Sequence, residues 1–125
     1  LAVGSMVGPA WDAAVELERL GVHARVVNAR FIKPVDRDLI LDCAQECRAV
    51  LTVEENVQRG GFGEAVRDVL LAEGYGHLPQ RILALPDRFI EHGTQPILRA
   101  ECGLDATGIA NAATKLFEAA REANA

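Results

Sequence analysis

The chain has 125 residues, half of them apolar and a quarter charged, the length and composition of one soluble domain that buries a core without disulfide or metal staples. Its formal net charge of -5 and pI near 5.1 exclude the clustered Lys and Arg with which proteins neutralise nucleic-acid phosphates or an acidic lipid surface. No apolar run approaches the roughly 20 residues needed to cross a bilayer, so neither nucleic acid nor a membrane is an expected partner.

In chain order, Leu1 to Met6 is predicted as a short strand. It has no initiating Met and no basic lead-in to an apolar segment, so it reads as a strand entered midway in a longer polypeptide, with the cytoplasm as default location. A helix follows, with Ala10, Ala13, Ala14, Leu17 and Leu20 on one face and Gly21 as its left-handed stop. Val22 to Val27 is predicted as the next strand. Asp36 is placed to cap a second helix through about Arg48, whose inner stripe is Leu39, Ile40, Cys43 and Cys47. Ala49 to Val53 is an almost wholly apolar strand, as expected in a parallel sheet covered on both faces, and Glu54-Glu55-Asn56 is expected to close it. Phe62 to Glu73 repeats the helical pattern, with Gly74 as its stop. Arg81 to Leu85 is predicted as the fourth strand, Thr94 as the cap of a short helix and Asp105 as the cap of the last, with the stripe Ile109, Ala113, Leu116 and Ala120. This alternation predicts a three-layer α/β/α fold with a mostly parallel sheet, residues 1–125 forming one domain.

Cys43, Cys47 and Cys102 are an odd count without the paired spacing of a metal site, so they read as reduced, packed thiols and no metal ligands are expected. Gly60-Gly61-Phe62-Gly63 opens a helix after a strand, and its amides point to a phosphate site only in principle. The G-x-G-x-x-G order and the Lys of a Walker-type loop are missing. Tight turning and close helix-to-sheet packing account for these glycines better, and Gly61 is expected at positive φ or against neighbouring backbone. Glu54 and Glu55 end a strand where open α/β sheets place functional groups, yet a strand turns neighbouring side chains to opposite faces, which argues against a shared acid/base pair and for interface or loop-fixing contacts. Asp87, Arg88, Glu91 and His92 form the densest polar cluster. With no nucleophile beside them, and with Gly93 following His92, they point to a turn whose imidazole fixes its loop or meets another domain. His23 and His77 stand alone and read as structural. No residue is assigned as catalytic or cofactor-binding.

Together, Ala29-Arg30-Phe31-Ile32-Lys33-Pro34-Val35-Asp36, Thr52-Val53-Glu54-Glu55-Asn56 and Gly60-Gly61-Phe62-Gly63 resemble the C-terminal domain of the transketolase superfamily. Leu85-Pro86-Asp87-Arg88-Phe89-Ile90-Glu91-His92-Gly93, with Gly103-Leu104-Asp105 and Gly108-Ile109, resembles the ending of the 1-deoxy-D-xylulose-5-phosphate synthase family; Val35 departs from that family's usual Leu. The resemblance implies a homodimeric, thiamine-diphosphate- and Mg²⁺-dependent transferase that condenses pyruvate with D-glyceraldehyde 3-phosphate to give 1-deoxy-D-xylulose 5-phosphate and CO2, on the routes to isoprenoids and thiamine. The family's cofactor lies between two upstream domains, and its metal-binding Gly-Asp-Gly does not occur in this sequence. The chain is therefore expected to be inactive alone and to pack against the upstream pyrimidine-binding domain and the dimer partner. Two alternatives stand beside it: the matching domain of a 2-oxo-acid dehydrogenase β-subunit, docking an acyltransferase, and a stand-alone nucleotide-binding regulatory module.

Overall fold

A computed structural model describes all of residues 1–125. After a 3₁₀ turn at Gly4–Met6 come α1 (Val7–Arg19), α2 (Arg37–Glu46), β1 (Val50–Val57), α3 (Phe62–Ala72), β2 (Gln80–Leu85), α4 (Gln95–Glu101) and α5 (Ala106–Ala123). β1 and β2 pair in parallel from Val50 opposite Gln80 to Val53 opposite Leu83. Parallel bridges from Ala2 to Val53 and to Asn28 extend the sheet on the other side of β1, so the order across it is Asn28, Ala2, β1, β2.

Two apolar layers cover the sheet. Ala2, Met6, Ala13, Leu17, Val53, Leu104, Ile109 and Ala110 form one core, which belongs to α1 and α5. Ile40, Ala44, Val50, Phe62, Val66, Leu70 and Leu78 form the other, under α2 and α3. Val50 and Val53 serve opposite cores because a strand alternates its faces, and both faces of β1 must therefore be apolar. That is the three-layer α/β/α arrangement the alternating pattern predicts.

Local signals set the element ends. Leu39 donates its N–H to Asp36 at 3.1 Å and Gly108 to Asp105 at 2.8 Å, which satisfies one free amide at the start of each helix. Gly21 ends α1 with φ of 75°, the left-handed geometry that favours glycine. Thr94 makes no capping bond through its side chain.

Three boundaries differ from the sequence expectation. The first strand stops at Val3, because Gly4 (φ 55°) turns the chain into the 3₁₀ turn. Val22 to Val27 carries no ladder and is bridged only at Asn28. β1 continues through Glu54-Glu55-Asn56 to Val57, with a bulge after Val53 before Val57 pairs with Leu85. Leu20 caps α1 and is exposed rather than on its inner face.

Candidate functional site at the carboxyl edge of the sheet

In a parallel sheet all carboxyl ends lie on one edge, where the loops that follow the strands gather. On this edge sit Ser5, the Phe31–Ile32 segment, the Glu54–Glu55 bulge, the Gly60–Gly63 turn and the Asp87–Gly93 loop. A bulge bends its strand and re-aims side chains, and the two carboxylates of β1 do diverge, as the alternation of a strand requires.

Glu54 turns toward α3. It is 2% exposed, and its two oxygens accept the N–H groups of Phe62 at 2.9 Å and Gly63 at 2.8 Å. The carboxylate thus fills the positive start of α3, the place a bound phosphate would occupy. Gly60 donates its N–H to Glu64 at 2.8 Å, so the glycine turn is closed by two carboxylates of this same chain. Gly60 has φ of 71°. Gly61 does not have positive φ: at -84° its backbone suits any residue, and close approach is what demands glycine. A Cβ there would lie 2.6 Å from a Glu54 oxygen and 2.6 Å from the Val57 carbonyl, and one on Gly63 would lie 2.6 Å from Ile82 and from Thr52 Oγ1. Phe62, 2% exposed, anchors the turn in the α2–α3 core.

Glu55 turns the other way. Arg99 of α4 donates to it through Nε at 2.9 Å and a terminal nitrogen at 2.8 Å, and Ser5 Oγ donates at 2.8 Å. The Arg99 guanidinium holds the Glu55 carboxyl down at about 2, with the Ser5 hydrogen bond contributing in the same direction against the opposing effect of burial. This bidentate pair ties the 3₁₀ turn, β1 and α4 together at the edge. Sequence reasoning missed Arg99 and Ser5, since each lies more than forty residues from Glu55 and nothing local marks either.

The Asp87–Gly93 loop lies open. Asp87, Arg88, Glu91, His92 and Gly93 are all exposed. The one hydrogen bond tying its backbone is from Arg88 N–H to the Pro86 carbonyl at 2.8 Å. His92 has no hydrogen-bond partner within the chain, so the loop is not fixed through its imidazole here. Phe89 is 97% exposed. Of the lone histidines, His77 is 3.2 Å from the Gly74 carbonyl and stacks on Tyr75, whereas His23 is exposed. Cys43 is buried, and burial pushes its thiol above the ordinary range, which leaves it unreactive. No three His, Cys, Asp or Glu side chains gather as metal ligands, and no helix is long and apolar enough to cross a membrane.

Residues 1–109 match the family described as transketolase, C-terminal domain. The chain is 49% identical over its full 125 residues to 1-deoxy-D-xylulose-5-phosphate synthase 1 of Geobacter sulfurreducens, of which it covers 20%. It is 45% identical to the 1-deoxy-D-xylulose-5-phosphate synthase of Heliobacterium modesticaldum over 97% of the chain and 18% of that protein. The chain spans about a fifth of the length of the curated relatives it matches. Among solved structures, a split gene transketolase described as an inactive β4 tetramer superposes with a TM-score of 0.84 at 38% identity, over 92% of this chain and 37% of that one.

Proposed function

We infer the role of the domain from one premise: the chain belongs to the transketolase C-terminal domain family, in the form carried by 1-deoxy-D-xylulose-5-phosphate synthases. Its role is to dock. The carboxyl edge of the sheet packs against the upstream pyrimidine-binding domain and the dimer partner of a longer, homodimeric transferase. That transferase condenses pyruvate with D-glyceraldehyde 3-phosphate to 1-deoxy-D-xylulose 5-phosphate and CO2.

One observation carries this reading. Large apolar side chains stand exposed in or at the mouth of the segments that follow three strands on the same edge: Phe31 at 69% and Ile32 at 41%, Val57 at 45%, and Phe89 at 97%. These are four of the nine exposed large apolar side chains, and together with the exposed Asp87, Arg88, Glu91 and His92 beside Phe89 they have the composition of a contact surface with a polar margin.

Thiamine diphosphate and Mg²⁺ serve such an enzyme by stabilising the carbanion formed when pyruvate loses CO2. The residues of this domain do not fit them, because the amides at the start of α3 that would face a diphosphate are already held by Glu54. We place the cofactor in the upstream domains, as the family resemblance implies, and name no catalytic residue in this one. The same occupied amides weigh against a stand-alone nucleotide-binding module.

The test is Phe89→Asp. A side chain this exposed loses no burial within the domain, so the melting of the isolated 125-residue chain should move by less than about 0.5 kcal/mol. In the full-length enzyme the same change should weaken dimerisation or domain docking and lower turnover of pyruvate and glyceraldehyde 3-phosphate by tenfold or more. Wild-type assembly and turnover in that variant would overturn the docking role.

A further inference from the structure

Between β2 and α5 the chain runs from Leu85, which pairs with Val57, to Leu104, which is buried in the α1–α5 core. No residue from Pro86 to Gly103 is buried. α4 lies within this stretch, and its 7 residues fall well short of the roughly 12–15 at which an isolated helix begins to persist in water. Something outside the helix must hold it.

Packing supplies little of that support. Ile97 of α4 is exposed, and the half-buried Ile90 and Leu98 belong to neither core. Only past the end of α4 is the chain fixed: Cys102 packs against the α1–α5 core, and Gly103 lies so near Gly108 that a Cβ on the latter would stand 2.6 Å from it. The backbone adds no tie to the sheet. Arg88 donates to Pro86, Leu98 to Thr94, Cys102 to Leu98 and Leu104 to Arg99, all within the stretch and its anchor.

The hydrogen bonds that cross from this stretch to the sheet are the two from Arg99 to Glu55. Both side chains are half-buried, so salt and water screen the pair less than an open surface pair. Its two parallel bonds fix the direction of α4 as well as its distance. Ser5 donates to the same carboxylate and steadies it from the 3₁₀ turn. The loop before α4 follows the helix, because Gly93 folds back on Leu98, where a Cβ on the glycine would lie 3.2 Å away.

We propose that residues 86–101 form a strap, latched to the carboxyl edge of the sheet by the Glu55–Arg99 pair, that opens and closes as one body while both cores stay folded. Its fixed ends are Leu85 and the Cys102–Leu104 anchor. Opening uncovers the Glu55 carboxylate and carries Phe89 with α4, so an ion pair ten residues along the chain sets where that exposed ring stands. The strap does not depend on what the edge docks against.

Amide hydrogen exchange of the 125-residue chain tests it. In the wild type, Leu98 and Cys102 should share one degree of protection, at least about tenfold weaker than that of Val50 and Gly63, whose N–H groups are held by Pro79 and Glu54. Arg99→Met keeps the apolar stem and removes the guanidinium. It should speed exchange at Leu98 and Cys102 by a further factor of about ten or more and leave Val50 and Gly63 protected. Adding Glu55→Gln to it should speed them no further, because a latch is opened by the loss of either half. Equal protection of Leu98 and Val50 in the wild type would overturn the proposal, since the stretch would then open only with the whole domain. Unequal protection at Leu98 and Cys102 would also overturn it, as fraying of α4 from one end. The same holds for unchanged rates in Arg99→Met, or for a double variant faster than Arg99→Met. Loss of protection at Val50 together with Leu98 in Arg99→Met would make the pair a support of the whole fold and not a latch.

Discussion

Glu54→Gln keeps the shape of a buried side chain and exchanges one acceptor for a donor. In the wild type both carboxylate oxygens are used, by Phe62 N–H at 2.9 Å and Gly63 N–H at 2.8 Å. However the new amide turns, one of those N–H groups then meets an NH2. A hydrogen bond to a charged acceptor contributes about 1.5–3 kcal/mol and an unsatisfied buried donor costs about 1–3 kcal/mol. Loss of the negative charge at the helix start adds a few tenths of a kcal/mol or more. These contributions overlap, and the variant should lose about 2–3 kcal/mol, which lowers the Tm of a domain this size by roughly 6–12 °C. Urea unfolding of the isolated chain, followed by circular dichroism, measures the loss, and hydrogen exchange at Phe62 and Gly63 locates it. A Gln variant within about 0.5 kcal/mol of wild type, with those two amides exchanging as before, would refute the assignment of Glu54 as the cap of α3.

Because Arg99 brings the Glu55 carboxyl from 4.5 in the unfolded chain to about 2 when folded, the stability it contributes is fully present above the unfolded value and is lost as pH falls through the folded one. The stability gap between wild type and Glu55→Gln should therefore shrink from pH 5 toward pH 2 in urea titrations, and a gap independent of pH would show that the charge is not responsible. Gly63→Ala puts a Cβ 2.6 Å from Ile82 and Thr52 and should cost about 1–3 kcal/mol by overpacking, read as a lower urea midpoint; an unchanged midpoint would show that the contact relaxes freely. Thr52 is 2% exposed and its Oγ1 has no partner, so Thr52→Val should raise stability by up to about 1 kcal/mol, and a clear loss in thermal melts would reveal a partner for that hydroxyl.

The parts legible in the sequence are those fixed by contacts near in the chain. Asp36 and Asp105 cap helices three residues away, Gly21 and Gly74 stop helices by their own φ, and the apolar run into Val53, broken only by Thr52, announces a strand covered on both faces. For Gly61 the sequence left two causes open, positive φ or close approach of neighbouring backbone, and the structure selects the second. The need for glycine there is imposed by Glu54 and Val57 approaching across the turn, not by φ, and only tertiary geometry distinguishes the two. The Glu55–Arg99–Ser5 cluster was not legible, because its members meet through folding alone.

The segment Val22 to Val27 shows how far a strand's existence depends on its neighbour. Its β-branched composition fits a strand, but a ladder is a property of pairs, and only at Asn28 does a partner reach it. Leu116 and Phe117 of α5 are half-buried and line a groove beside this segment.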